Sequence, residues 1–196
     1  MLCRAADKLN KRTERIIYSN QSKILYNIKN GYSMKRFKKI ILCRNPYSRF
    51  FSFYKMWIIN YYDRENKDDI FAFEYLRSVV TEDEYNEFLE CLTKDPKKSC
   101  NMYVKCLNTC IGDRHLIPQN EIYRWEGVKQ IEFDYYARLE DLDTDFIEST
   151  MGVEFPHIVV SGNKSEMYKE YLNRESYDIL NKIYKVDFEE LGYEME

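Results

Sequence analysis

Residues 38–57, KKIILCRNPYSRFFSFYKMW, constrain this chain more than any other stretch. Residues 40–43 form a short continuous apolar run, the pattern of a parallel strand covered on both faces. Two residues later the grammar changes. Asn45 is a favourable helix cap, and Pro46 suits the first helical position because it has no N–H to leave unpaired there. Phe50, Tyr54, Trp57 and Tyr61 then recur at helical spacing, with Phe51 and Ile58 beside them, so one wide apolar face is expected. The stretch reads as a buried strand feeding directly into a helix.

The polar residues at that junction carry the chemistry. Arg44 stands where the strand ends, Ser48 and Ser52 are four apart, and Arg49 lies in the same turns. A helix N-terminus presents unpaired N–H groups and a partial positive charge. With two guanidinium groups and two hydroxyls added, the junction suits a phosphate or sulfate. A plain strand-to-helix turn with solvated arginines has the same spacing, so the pattern alone leaves both readings open.

The segment Arg-Asn-Pro-Tyr-Ser-Arg-Phe-Phe-Ser-Phe-Tyr, residues 44–54, resembles the 3′-phosphate-binding motif of sulfotransferases that use 3′-phosphoadenosine 5′-phosphosulfate (PAPS). The resemblance is to the carbohydrate, Golgi-type branch, sulfotransferase family 2. It puts Arg44 and Ser52 on the family's 3′-phosphate ligands, and Arg49 and Tyr54 on its other fixed positions. The fold it implies is α/β: three layers, P-loop-like and helix-rich, with a small central parallel sheet flanked by helices.

Other segments extend the likeness from about residue 38 to the end. His115, Pro118 and Gln119 match a His-x-x-Pro-Gln element near the acceptor and cofactor side of the family's site. A lone His before a Pro also reads as a turn or packing residue. Residues 131–142 resemble a family strand ending in Glu-x-Leu, here Glu140 and Leu142. Asn163, Lys164 and Ser165 match a loop that approaches the nucleotide, and they also form a glycosylation sequon. Tyr184, Asp187, Phe188, Gly192 and Tyr193 fall on a C-terminal signature that reads as core packing rather than chemistry.

One family element is not found. A Pro-Lys-x-Gly loop, whose Lys faces the 5′-phosphosulfate, has no clear counterpart. The nearest text is residues 2–9, where Arg4 would stand in for the Lys beside an unfavourable Asp7. The expectation is one domain over residues 1–196, without the first strand and its loop. The implied function is sulfuryl transfer from PAPS to a carbohydrate hydroxyl, with no metal. Arg44, Ser52, Arg49, Ser48 and Lys164 would bind the nucleotide, and His115 and Arg4 would be catalytic. The alternative is a catalytically impaired or truncated relative that binds nucleotide, glycan or protein.

Charge supports an anionic ligand. Residues 1–44 hold twelve Lys and Arg against Asp7 and Glu14, a balance of +10, which leaves −13 elsewhere in a chain of net charge −3. Nucleic acid is disfavoured by that acidic remainder and by the lack of a basic, Gly-punctuated aromatic motif. No apolar run approaches the ~20 residues of a membrane span. The first 15 residues lack the apolar core of a signal peptide. The chain reads as cytoplasmic if Met1 is the true start, and as Golgi-luminal if an anchor precedes it. Cys100, Cys106 and Cys110 cluster without paired zinc-site spacing. They suit free thiols in the cytosol or a disulfide in an oxidising lumen.

The remaining elements read simply. A basic helix is expected over 4–17, and a charged turn over 63–69. Helices are expected over 70–80, packing through Phe71, Phe73, Tyr75 and Leu76, and from Thr81 to about 93. Residues 95–113 read as irregular. Strands are expected at 131–135 and 158–160, a helix at 141–151, and a final helix from Asn173 to Gly192.

Overall fold

A computed structural model describes residues 40–62, 71–107, 115–121, 134–151 and 166–196. Within it the apolar run forms β1, Ile40–Cys43. β1 pairs in parallel with β2, Tyr135–Arg138, in a register that sets Ile40 against Tyr135 and Cys43 against Arg138. Ile41 and Cys43 are buried and Ile40 and Leu42 half-buried, so no position of β1 faces open water and the strand needs no polar alternation. The Cys43 thiol donates to the Ala137 carbonyl at 3.5 Å. α1 is Pro46–Trp57 and follows β1 after Arg44 and Asn45.

Two compact units divide the chain. One comprises Met1–Cys43 and Glu121–Val160, the other Arg44–Asn120 and Ser161–Glu196. In the first, Ala137 and Ile147 are buried and pack with Ile40, Leu42, Tyr135 and Leu142. Ile147 belongs to the helix Thr144–Met151, entered through a 3-10 turn over Leu139–Asp141. The Asp143 carboxylate accepts the Phe146 N–H at 2.8 Å at that helix's start.

The second unit is helical, and α1 lies in its core. Tyr47, Phe50, Phe51, Phe53 and Tyr54 are all buried, so α1 buries more of its circumference than the single stripe expected. It also ends sooner. Tyr61 sits in a 3-10 turn, Ile59–Tyr61, where its ring stacks on Trp57 at 5.3 Å. α2, Phe71–Val79, packs inward through Ala72, Phe73 and Leu76. Phe71, expected in the core, is 45% exposed and lies instead against Tyr75 on the outer side. α3, Glu82–Lys94, starts with a reciprocal cap. The Thr81 hydroxyl accepts the Glu84 N–H at 3.3 Å, and the Glu84 carboxylate accepts the Thr81 N–H at 2.8 Å.

The structure corrects the irregular reading of residues 95–113 over its first part, residues 108–113 lying outside the described residues. α4 runs Pro96–Cys106. Asp95 caps it by accepting the Lys98 N–H at 3.0 Å, and Pro96 takes the first position. This is the grammar of Asn45-Pro46 repeated. Ser99, Cys100, Tyr103 and Val104 recur at helical spacing and are buried. Packing of that face outweighs the Pro and Cys signals that suggest a loop. Cys43, Cys91, Cys100 and Cys106 are free thiols. Burial pushes the Cys106 thiol up to about 11 and raises that of Cys100 further, so neither is poised for thiolate chemistry at neutral pH.

The C-terminal stretch holds a short helix, α5, Tyr168–Tyr171, then α6, Arg174–Ile183, and α7, Lys185–Leu191. The single final helix expected is broken at Tyr184, which leaves helical geometry at φ −102° and ψ 19°. Its stripe survives: Leu180, Tyr184, Phe188 and Leu191 are buried. Asn173 caps α6, and Gly192 ends α7 at φ 69°, the left-handed conformation that glycine adopts without a steric penalty. Tyr47 ties the start of α1 to these helices. Its ring lies 5.4, 5.0 and 4.9 Å from those of Tyr168, Tyr177 and Phe188. Its hydroxyl meets Asn181 and accepts the Glu196 N–H. The basic helix expected over 4–17, the turn at 63–69 and the strands at 131–133 and 158–160 lie outside the described residues.

Candidate functional site

The site is built on the first turn of α1. Pro46 contributes no N–H. The Asn45 side-chain oxygen accepts the N–H groups of Tyr47 at 3.0 Å and Ser48 at 3.1 Å. The Asn45 carbonyl accepts the Arg49 N–H at 2.8 Å. Those donors were expected to face an anion, and the cap uses them instead. What the helix end offers a ligand is its partial positive charge, with no acidic residue in the first turn, and the side chains around it. Asn45→Ala should cost about 1 kcal/mol of stability, read as a lower denaturation midpoint. Asn45→Asp, which keeps the acceptor, should restore it.

Arg44 and Ser48 are brought together. The Arg44 Nε donates to the Ser48 hydroxyl at 2.9 Å, one helical turn on. Ser48 is 2% exposed, whereas Arg44 is half-buried. The guanidinium is thus folded over the first turn of α1 by a hydroxyl that packing holds still. Ser52 follows one turn later and is half-buried. Arg49 goes elsewhere, donating to the Ile117 carbonyl at 2.6 Å. It joins α1 to the turn carrying His115, Pro118 and Gln119.

That turn reaches back to Arg44. The Gln119 side-chain oxygen accepts the Arg44 N–H at 2.9 Å, and its NH2 group donates to the Arg44 carbonyl at 2.8 Å. Asp187 holds the turn from α7. One carboxylate oxygen accepts the Gln119 N–H at 2.7 Å, and the other accepts the Asn120 N–H at 2.9 Å. Asp187 is fully buried. Burial pushes its carboxyl above the ordinary 3.8, against the pull of the Asn120 and Gln119 N–H groups and the Arg49 charge. The C-terminal signature containing Asp187 reads as packing, and the structure corrects this: its carboxylate holds the Gln119–Asn120 turn. The available signal was one acidic residue on the apolar stripe of Tyr184, Phe188 and Leu191. A buried carboxylate must find partners.

His115 is exposed and stands beside the later turns of α1, its ring 6.3 Å from Phe53 and 5.7 Å from Trp57. At 1.5 Å per residue, those two positions lie roughly 10 and 16 Å beyond Pro46 along the helix axis. His115 is therefore set apart from Arg44. Arg4 and Lys164 lie outside the described residues. Among the described residues, no three His, Cys, Asp or Glu side chains stand together as a metal site. No helix among them is long and apolar enough to cross a membrane.

A family model described as the sulfotransferase family matches residues 3–194. The chain belongs to the sulfotransferase family. The family likeness read from residues 44–54 is therefore borne out, and the match runs over nearly all of the sequence. Comparison with curated proteins and with solved structures returns no match. A helix-rich chain with a small parallel sheet is compatible with the α/β fold of sulfotransferases. Sulfuryl transfer is the chemistry of that family, and an acceptor substrate goes with it.

Proposed function

We propose that this sulfotransferase-family chain transfers a sulfuryl group from PAPS to a hydroxyl of a carbohydrate acceptor. The observation that carries this reading is the Arg44 guanidinium held by Ser48 over an acid-free helix start. The residues there fit the nucleotide: a fixed cation and hydroxyls form a donor set for a 3′-phosphate, and the positive helix end adds its field. PAPS, when bound, supplies the activated sulfuryl group.

In this reading Arg44, Ser48 and Ser52 hold the 3′-phosphate, and Arg49 adds charge from α1 while bonded to the Ile117 carbonyl. Holding one end of the donor fixes the direction in which the other points, and orientation supplies much of the rate in group transfer. His115, set along α1 from Arg44, takes the proton of the acceptor hydroxyl as general base. Arg4 and Lys164 are assigned to the phosphosulfate and the nucleotide on family resemblance. A carbohydrate acceptor rests on the same likeness to the Golgi-type branch.

The test is a transfer assay with labelled PAPS against a panel of glycans bearing free hydroxyls. Incorporation of label into one of them is the expected result. His115→Ala should lower turnover by about 10²- to 10⁴-fold while changing nucleotide affinity less than about twofold. Full turnover in that variant removes His115 from the chemistry. Nucleotide binding without transfer to any acceptor would instead favour a non-catalytic binding module.

A further inference from the structure

We infer that Gln119 is a positioning residue of the nucleotide site, fixing the backbone of Arg44 while Asp187 fixes Gln119. The inference rests on the reading of Arg44 as the 3′-phosphate ligand.

Arg44 belongs to neither β1 nor α1. Outside both, its backbone lacks the bonds of a strand ladder or a helix, and small backbone rotations would swing a long side chain through several ångströms. The Gln119 amide pairs with both backbone groups of that one residue, accepting its N–H at 2.9 Å and donating to its carbonyl at 2.8 Å. Two opposed bonds to one residue repeat what a paired strand does for its neighbour. They hold its backbone against rotation more firmly than either bond alone. Gln119 is 6% exposed. Its NH2 group also approaches the Asp187 carboxylate at 3.4 Å. Buried and bonded to the chain itself, this amide has the environment of a brace rather than of a ligand-touching group.

Asp187 completes the brace. It accepts the backbone N–H groups of both Gln119 and Asn120, so the turn cannot slide without stranding a buried carboxylate. A continuous series of bonds runs from Asp187 on α7 through Gln119 to the Arg44 backbone, and the Arg44 side chain runs on to Ser48. Gln119 lies 75 residues from Arg44 and 68 from Asp187, so three separate segments set one guanidinium.

The test uses the full chain and two nucleotides, adenosine 3′,5′-bisphosphate and adenosine 5′-monophosphate, titrated by calorimetry. Wild type should favour the bisphosphate by about tenfold or more, the effect of one good charge-assisted contact. Gln119→Ala should lose most of that preference, weakening the bisphosphate about tenfold while moving the monophosphate less than about twofold. Added to Arg44→Ala, it should cause less than about twofold further loss, because the two act through one contact. Gln119→Glu gives a second measure should the alanine variant fold poorly. It keeps an acceptor for the Arg44 N–H but sets a carboxylate against the Arg44 carbonyl and Asp187, so it too should lose 3′-phosphate preference. Equal losses for both nucleotides, additive losses with Arg44→Ala, or full preference in Gln119→Glu would each overturn the positioning role. A wild type without preference would overturn the Arg44 reading itself, and the brace with it.

Discussion

Arg44→Ala is expected to weaken binding of adenosine 3′,5′-bisphosphate by about 10- to 150-fold. A hydrogen bond to a charged group contributes about 1.5–3 kcal/mol, and each 1.4 kcal/mol is a factor of ten in affinity. The structure puts this residue in the upper part of that range for two reasons. Its Nε is held by a buried hydroxyl, so little side-chain freedom remains to be lost on binding. Its backbone is braced by Gln119. Arg44→Lys keeps the charge but loses the planar fork and the Nε contact to Ser48, so it should recover only part of the affinity. Ser48→Ala should weaken binding by a smaller factor, because it removes the hydroxyl that orients the guanidinium and leaves the charge. Calorimetry of the three variants checks the order. Arg44→Ala binding at wild-type strength would remove this residue from the site.

Asp187→Ala should be the most destabilising single change at the site, by about 3–5 kcal/mol, because the buried backbone N–H groups of Gln119 and Asn120 lose their acceptor at about 1–3 kcal/mol each. That is a large share of the 5–15 kcal/mol by which a domain is ordinarily stable. Denaturant unfolding reads it directly, as a lower midpoint with an unchanged slope. Asp187→Asn keeps the shape and one acceptor oxygen, and should cost less. The two differ from wild type in pH dependence as well. The Asp187 carboxyl is raised above 3.8 by burial. The folded state therefore holds this proton more tightly than the unfolded chain does. Its contribution to stability is full below pH 3.8 and is lost as pH rises through the folded value. Wild-type stability measured against Asp187→Asn should decline over that window and then level off. The cost of ionising this carboxyl is offset by the two backbone N–H groups it accepts.

Local grammar was readable wherever the deciding contacts are near in sequence. β1 follows from four apolar residues, α1 from Asn45 and Pro46, and α3 from Thr81 with Glu84 three residues on. The left-handed stop at Gly192 is of the same kind. α4 is obscured although Asp95-Pro96 repeats the Asn45-Pro46 start, because Cys and Pro are also loop signals and the face of Cys100, Tyr103 and Val104 decides only once it is packed. The break at Tyr184 leaves no mark in the sequence pattern, because a stripe of apolar residues continues across it.

The site divides along the same line. Arg44 and Ser48 are four apart, and their pairing follows from helix periodicity. The joins from Gln119 to Arg44 and from Asp187 to Gln119 span dozens of residues. No spacing rule reports them. Only family likeness singles out Gln119, and the apolar neighbours of Asp187 on α7 give it the pattern of a packing residue. The Asn45 side chain also takes up the first-turn N–H groups. A good cap competes with an anion for the same donors, so anion binding here rests on side chains and the helix field.

The most direct measurement is calorimetric titration of the full chain, at fixed salt, with adenosine 3′,5′-bisphosphate and then with adenosine 5′-monophosphate. Micromolar binding of the bisphosphate, about −8 kcal/mol, with the monophosphate at least about tenfold weaker, is the expected result. Equal affinity for the two, or no binding of either, would contradict the assignment of the Arg44 junction as a 3′-phosphate site.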